Sequence, residues 1–214
     1  MTTNDNDPTI WSIAHQGEIS MQLGNYDDAL EKFNDAVNEL EQQGKESAWV
    51  YAHRGEAYRL EKLWQDALNN FDKAIRINSN YAWAYAHRGE TYRQMADRLP
   101  TDMRLARDDF DKAIEIHEKY FWAYAHRGAT YRMDNSEDRE QLNSALKDFN
   151  KAIELHHKYA WAYAYRSAVY LVLGTDNGLR AYDDLLKAVE LDKTIIGEDF
   201  KTEIRGYVTR VLAI

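Results

Sequence analysis

Cysteine is absent from this sequence of 214 residues, and proline occurs only twice. The lack of cysteine excludes disulfide bonds and thiolate metal sites, and it fits a reducing compartment. The scarcity of proline favours helices. No apolar run approaches the roughly 18 residues that span a bilayer, and the polar, acidic start has no secretory pattern. We therefore expect a cytoplasmic protein that does not bind a membrane.

The sequence also lacks a surplus of positive charge. Acidic residues number 36 and basic residues 27, which leaves a formal net charge of -9. General nucleic-acid binding needs lysines and arginines that neutralise phosphates on one face, so we expect no nucleic-acid partner. Hydrophobic residues make up 44% of the chain and charged residues 29%, as in an ordinary folded domain.

What the sequence does contain is one segment repeated five times. Three copies are nearly identical: AWVYAHRGEAYR at 48–59, AWAYAHRGETYR at 82–93 and FWAYAHRGATYR at 121–132. Looser copies are IWSIAHQGEISM at 10–21 and AWAYAYRSAVYL at 160–171. Such a long recurring segment predicts a chain of similar structural units that stack on one another.

A second pattern follows each copy, namely alanine, then phenylalanine or leucine four residues later, then alanine after three more. The members are Ala29, Phe33, Ala36; Ala67, Phe71, Ala74; Ala106, Phe110, Ala113; Ala145, Phe149, Ala152; and Ala181, Leu185, Ala188. This spacing places all three side chains on one face of a second helix. A small residue in the first helix lets the two helices approach closely; these residues are Gly17, Gly55, Gly89, Gly128 and Ser167.

Over residues 10–195 these patterns resemble the tetratricopeptide repeat family, and the segment AHRGETYR is similar to segments of bacterial members. The resemblance implies an all-α, right-handed α-solenoid of helix-turn-helix repeats that acts by binding partners. We predict a polar tail at 1–9, repeats at 10–47, 48–81, 82–120, 121–159 and 160–195, and a capping helix at 196–214. Phe200, Ile204, Val208 and Leu212 give that last segment one apolar face, which suits a cover for the final repeat.

Each first helix has two distinct faces, because a helix turns by about 100° per residue. Tyr51, Gly55 and Tyr58 share the face expected to pack on the second helix. The resemblance implies that the opposite face lines a concave groove. The candidate partner-binding residues on that face are Trp49, Trp83, Trp122, Trp161, His53, His87, His126, Arg59, Arg93 and Arg132. The tryptophans also suit a second role, as packing between adjacent first helices.

The charged residues of the first helices fall into two sets. Glu56 with Arg59, and Glu90 with Arg93, are spaced to form solvated ion pairs. In the fourth repeat the glutamate is replaced by Ala129, which makes Arg132 the arginine best placed to meet an anionic group. The second set is predicted to be structural, with carboxylates such as Asp72 and Asp111 as partners; it comprises Arg54, Arg88, Arg127 and Arg166.

The leading hypothesis is a non-enzymatic adaptor or scaffold that binds a protein or peptide in the groove, without a cofactor. The recurring histidines lie about one repeat apart, too far for a shared metal ion, so we predict no metal site. The sequence has no recognisable phosphate loop or catalytic signature. Two alternatives stay open: a self-associating sensor or oligomerisation module, which would form a homo-oligomer, and a site for a small planar anion such as a nucleotide.

Overall fold

The computed structural model describes residues 8–95, 100–134, 138–174 and 177–195, and these residues form ten α-helices and no strand. The helices are α1 (Pro8–Gln22), α2 (Tyr26–Gln42), α3 (Ala48–Leu60), α4 (Trp64–Ile77), α5 (Ala82–Met95), α6 (Pro100–Ile116), α7 (Phe121–Asp134), α8 (Arg139–Leu155), α9 (Ala160–Leu173) and α10 (Gly178–Leu191). We call the odd-numbered helices first helices and the even-numbered ones second helices. The predicted all-α, helix-turn-helix architecture is confirmed.

The chain divides into two compact units, Met1–His117 with α1 to α6 and Glu118–Ile214 with α7 to α10. In the first unit, each first helix packs on its own second helix, and α2 and α4 also pack on the next first helix. In the second unit α7 pairs with α8, α9 pairs with α10, and α8 packs on α9. Both units are therefore built from the same two kinds of helix contact.

The core of each of the first four repeats is the alanine and phenylalanine face of the second helix. Phe33, Phe71, Phe110 and Phe149 are completely buried. A Cβ atom added at Gly55 would lie 3.1 Å from the Phe71 ring and 3.2 Å from the Ala67 carbonyl oxygen. The close approach predicted from the small residue is thus present, since the second helix lies where a larger side chain would go.

The turn between α1 and α2 and the turn between α3 and α4 have the same backbone form. Gly24 has a φ of 79°, and Lys62, at the matching place in the next repeat, has a φ of 59°. Lysine rarely adopts this left-handed conformation, so the turn is fixed by the helices on either side of it. No helix among the described residues has the length and apolar character needed to cross a membrane.

The outer face of α10 carries a row of exposed apolar side chains: Leu179, Tyr182, Leu186 and Val189. On α8 the corresponding side is occupied by the first helix of the next repeat. The segment predicted to cap the final repeat, residues 196–214, lies outside the described residues. At the other end, α1 begins at Pro8, inside the stretch expected to be a tail.

Candidate binding surface

Tryptophan and histidine rings of successive first helices stack on one another in the first unit. This first aromatic row consists of Trp11, His15, Trp49, His53, Trp83 and His87. The His53 ring lies between Trp49 of its own helix, with ring centres 3.9 Å apart, and Trp83 of the next first helix, at 4.8 Å and only 4° from parallel. The four-residue spacing of Trp49 and His53 makes the first stack, and the packing of α3 beside α5 makes the second.

The second unit repeats this arrangement in a second aromatic row, Trp122, His126, Trp161 and Tyr165. Trp122 stacks on His126 at 3.8 Å, His126 stacks on Trp161 at 4.3 Å, and Trp161 stacks on Tyr165 at 3.8 Å. Tyr165 stands where the earlier repeats have histidine. The tryptophans thus do pack adjacent first helices together, yet each of the four predicted tryptophans keeps part of its surface exposed.

His53 is a buried, neutral member of the first row. Its Nδ1 lies 2.9 Å from the Trp49 carbonyl oxygen, and because that oxygen can only accept, Nδ1 carries the hydrogen. Burial lowers the pKa of His53 from its ordinary value of 6.5. His126 is buried as well, and His87 is half-buried. His53 and His126 are each packed between two tryptophan rings. That the three histidines contact a partner stays a prediction.

Glu56 joins the second repeat to the third. Its carboxylate accepts two hydrogen bonds from Arg59, at 2.7 and 2.6 Å, and lies 2.9 Å from Nδ1 of His87 on the next first helix. Burial alone would raise the pKa of Glu56, but His87 and Arg59 outweigh burial and lower the pKa to about 2. The glutamate is therefore held ionised between two first helices.

The ion pairs predicted at Glu56–Arg59 and Glu90–Arg93 are present, but they are buried and not solvated. The side chains of Glu56 and Arg59 are each only 10% exposed, and those of Arg93 and Glu90 are 12% and 3% exposed. Gln94 ties the pairs together, because it accepts from Arg59 at 3.0 Å and donates to Glu90 at 2.8 Å. The expectation of a solvated pair was wrong: both pairs are buried. His87 and Gln94 of α5 contact the Glu56–Arg59 pair.

Arg132 occupies the same place in the fourth repeat, without the glutamate. Ala129, which replaces that glutamate, is completely buried. The guanidinium carbon of Arg132 lies 5.3 Å above the centre of the Tyr165 ring. Among the described residues its buried Nε has no hydrogen-bond partner, and the guanidinium forms no ion pair. This arginine therefore keeps a charge and a donor that Arg59 and Arg93 have committed internally.

The other set of arginines links second helices. Arg88 donates from Nε and Nη2 to Asp109 of its own repeat, at 2.8 and 2.6 Å, and from Nη1 to Asp72 of the preceding repeat, at 2.6 Å. Arg127 with Asp148, and Arg166 with Asp184, form the same two-point pair. The structural role predicted for this set, with carboxylates as partners, agrees with the contacts of Arg88, Arg127 and Arg166. Arg54 differs, because it donates to the side-chain oxygens of Asn70 at 2.8 Å and Asn34 at 3.0 Å. The aspartate that directly precedes the core residue of the second helix was missed, although its recurrence in the sequence could have revealed it.

The described residues bring no three His, Cys, Asp or Glu side chains together in a way that could hold a metal ion. The histidines of the first row are separated by tryptophan rings, as the 3.9 and 4.8 Å stacks on either side of His53 illustrate. Each row instead offers tryptophan rings that are stacked in place and partly exposed.

Comparison with known proteins agrees with the fold. The sequence model of the TPR repeat family, the tetratricopeptide repeat, matches residues 55–95. The solved structure of TTC0263, a thermophilic TPR protein from Thermus thermophilus, aligns with a TM-score of 0.71 at 20% identity, covering 93% of this chain and 98% of that one. The resemblance seen in the sequence is thereby confirmed. No curated protein matches the sequence.

Two further similar solved structures concern peptide recognition. YrrB, described as a TPR protein with an unusual peptide-binding site, aligns with a TM-score of 0.59 at 18% identity, covering 91% of this chain and 90% of that one. The first TPR of Spaghetti (RPAP3), bound to an HSP90 peptide, aligns with a TM-score of 0.53 at 20% identity, covering 60% of this chain and 94% of that one. At these identities the likeness concerns the fold.

Proposed function

We propose that this chain, whose fold is that of the tetratricopeptide repeat proteins, is a non-enzymatic adaptor that binds a peptide or protein segment along its first helices. The segment would contact the exposed parts of the tryptophans in an aromatic row. It would also meet Arg132, the one of the three candidate arginines that lacks an internal glutamate. The peptide-binding descriptions of YrrB and of the RPAP3 domain support this proposal by analogy.

The observation that carries the proposal is that the tryptophans are held rigidly and yet remain part-exposed. Trp122 is fixed by its stack on His126 at 3.8 Å, and Trp161 by its stacks on His126 and Tyr165. A side chain that is already ordered loses little conformational entropy when a partner covers it. Large aromatic side chains in that state are the residue type that dominates binding energy at interfaces.

The test is a selection followed by mapping. Random twelve-residue peptides displayed on phage are selected on the folded full chain, and the selected peptides are added to ¹⁵N-labelled protein. The six tryptophans give six indole N–H signals, of which Trp64 lies on a second helix outside both rows. Binding along the first helices should move signals of row tryptophans, such as Trp122 and Trp161, and leave Trp64 in place.

Two results would count against the proposal. If no peptide is enriched over an unrelated folded control protein, the chain does not recognise extended segments. If enriched peptides move the Trp64 signal and loop amides but none of the row tryptophans, the chain binds segments on another surface.

A further inference from the structure

Three exposed apolar side chains of α10 occupy the positions through which other second helices contact the next repeat. They are Tyr182, Leu186 and Val189, and their counterparts on α8 are Leu146, Asn150 and Ile153. On α8, Leu146 and Ile153 pack into the core of the second unit, and Asn150 accepts a hydrogen bond from Arg166 of α9 at 2.6 Å. This face of α10 thus has the composition of a helix contact, and no described helix follows it.

The backbone leaves α10 in the same way as it leaves α8. The residues that end the two helices have similar dihedral angles, with φ and ψ of -143° and 85° at His156 and of -148° and 108° at Asp192. Three residues on, the amide of Tyr159 donates to the His156 carbonyl at 3.0 Å, and the amide of Ile195 donates to the Asp192 carbonyl at 3.3 Å. Because the turn after α8 leads into α9, the turn after α10 directs the chain towards the place of a further first helix.

Residues 199–210 repeat the sequence pattern of a first helix. Gly206 follows Ser167 by 39 residues, which is also the spacing from the third repeat to the fourth and from the fourth to the fifth. Arg205 precedes this glycine, as an arginine precedes the glycine in α3, α5 and α7. Phe200 lies six residues before it, at the place of the recurring tryptophan. The agreement in phase indicates a sixth copy of the first helix.

This sixth copy differs from the complete repeats on the side that packs on the second helix of the same repeat. The two tyrosines of that side, which are present in α3, α5, α7 and α9, are replaced by Thr202 and Thr209. The opposite side stays apolar, since Val208 takes the place of Val169, which is completely buried in α9. A helix of this kind has one apolar face to cover, and that face is the one directed at the preceding repeat.

From these observations we infer that residues 199–210 form a sixth first helix, which docks on the outer face of α10 in the same chain. The docking gives a register to the segment predicted to cap the final repeat. In this register Phe200 lies beside Tyr165 and continues the second aromatic row. The docking needs no partner, so it is independent of the proposed function.

The same chain is favoured over a second copy as the source of the helix. The connection from α10 would have seven residues, 192–198, whereas four connect α8 to α9 and five connect α2 to α3. The segment therefore reaches the face easily, and a short tether gives it an effective concentration of about a millimolar or more. In a second copy, the complete first helices are already packed on their own second helices.

The test uses the absence of cysteine, because a single cysteine introduced at Thr209→Cys can carry a spin label on the full chain. Broadening of ¹⁵N amide signals is measured relative to the reduced, diamagnetic label. Consecutive helices joined by a short turn run in opposite directions, so a docked label at 209 should broaden the first half of α10, around Tyr182, most strongly. Broadening that is confined to the last turn of α10, next to the tether, or that is absent from α10, overturns the docking.

A mixed sample separates the two possible sources of the helix. Spin-labelled protein without ¹⁵N is mixed with ¹⁵N-labelled wild type, and we expect no broadening of α10. Broadening there would overturn the inference in favour of a second copy. In the singly labelled chain, nuclear Overhauser contacts between the rings of Phe200 and Tyr165 are expected, and a docked segment without them overturns the register.

Two leucines of α10 provide a matched pair of variants. Leu186 lies on the proposed contact face, whereas Leu179 is 82% exposed and corresponds to the exposed Asn143 of α8. We expect Leu186→Ala to lower the melting temperature by roughly 5 °C, because a covered leucine is truncated, and Leu179→Ala to lower it by less than about 2 °C. Equal, small effects of both variants would show that the face of α10 is uncovered and would overturn the inference.

Discussion

Arg88 and Asp109 form a buried two-point ion pair, with Nε to Oδ2 at 2.8 Å and Nη2 to Oδ1 at 2.6 Å. The pair joins a first helix to its own second helix, and the remaining nitrogen of Arg88 reaches Asp72 of the repeat before. One guanidinium therefore ties together three helices of the first unit. Equivalent pairs occur at Arg127 and Arg166.

Removing the buried carboxylate of this pair should be strongly destabilising. Asp109→Asn leaves Arg88 without its nearest counter-charge, and breaking a buried pair on one side typically costs about 3–5 kcal/mol. The measurement is the free energy of unfolding in urea. Asp108→Asn, which affects an exposed pair with Arg104, is the control and should change stability by less than about 1 kcal/mol. Equal effects of the two variants would mean that Arg88 has no structural role.

The Glu56 carboxylate should make stability depend on pH in the acid range. Its pKa is lowered in the folded protein from 4.5 to about 2, so its contribution is fully present above pH 4.5 and is lost as the pH falls towards 2. The shift corresponds to about 3 kcal/mol. We expect Glu56→Gln to be less stable than the wild type at pH 6 and to approach it at pH 3, in urea unfolding at a series of pH values. Parallel curves for the two proteins would show that Glu56 is not preferentially ionised in the fold.

Truncating Trp83 should lower stability as well as binding. Its indole stacks on His53 at 4.8 Å and on His87 at 3.8 Å, so Trp83→Ala removes the contact between α3 and α5 at this level of the row. We expect a loss of about 3 kcal/mol, at the low end for a large core residue because the ring is part-exposed. Trp64→Ala, on a second helix, should cost less. A Trp83→Ala protein with unchanged thermal unfolding would show that the row does not pack the first helices.

A methyl group at the helix crossing of the third repeat should also destabilise the fold. A Cβ at Gly89 would lie 3.0 Å from the Ala106 carbonyl oxygen, which is closer than atoms can pack without movement. Gly89→Ala gains up to about 1 kcal/mol of helix propensity, yet we expect a net loss of about 1–2 kcal/mol. Ser167→Ala, at the matching place in α9, retains the existing Cβ and should be nearly neutral. Stabilisation by Gly89→Ala would contradict the close crossing.

The fold could be predicted from the sequence because its main contacts are made within one repeat. The spacing of Ala67, Phe71 and Ala74, opposite Gly55, already determines how a first and a second helix meet. Those positions recur in phase, and they were assigned to the core correctly.

The candidate site was harder to predict, because its contacts join neighbouring repeats. The position of Glu56 on a helix indicates its direction, but not how closely α5 approaches, so the burial of the pair with Arg59 and the contact to His87 could not be deduced. The replacement of glutamate by Ala129 was visible in the sequence, because Glu56 and Glu90 occupy the same place in the two preceding repeats. Whether Arg132 binds a partner stays a prediction.

The most direct measurement is the set of indole N–H signals in the ¹H–¹⁵N spectrum of the full chain, recorded with and without a selected peptide. Trp64, on a second helix outside both rows, is the internal reference. We expect signals of row tryptophans such as Trp122 and Trp161 to move as the peptide is added, and the Trp64 signal to stay in place. Row tryptophan signals that do not respond at saturating peptide would contradict the proposal that a segment binds along the first helices.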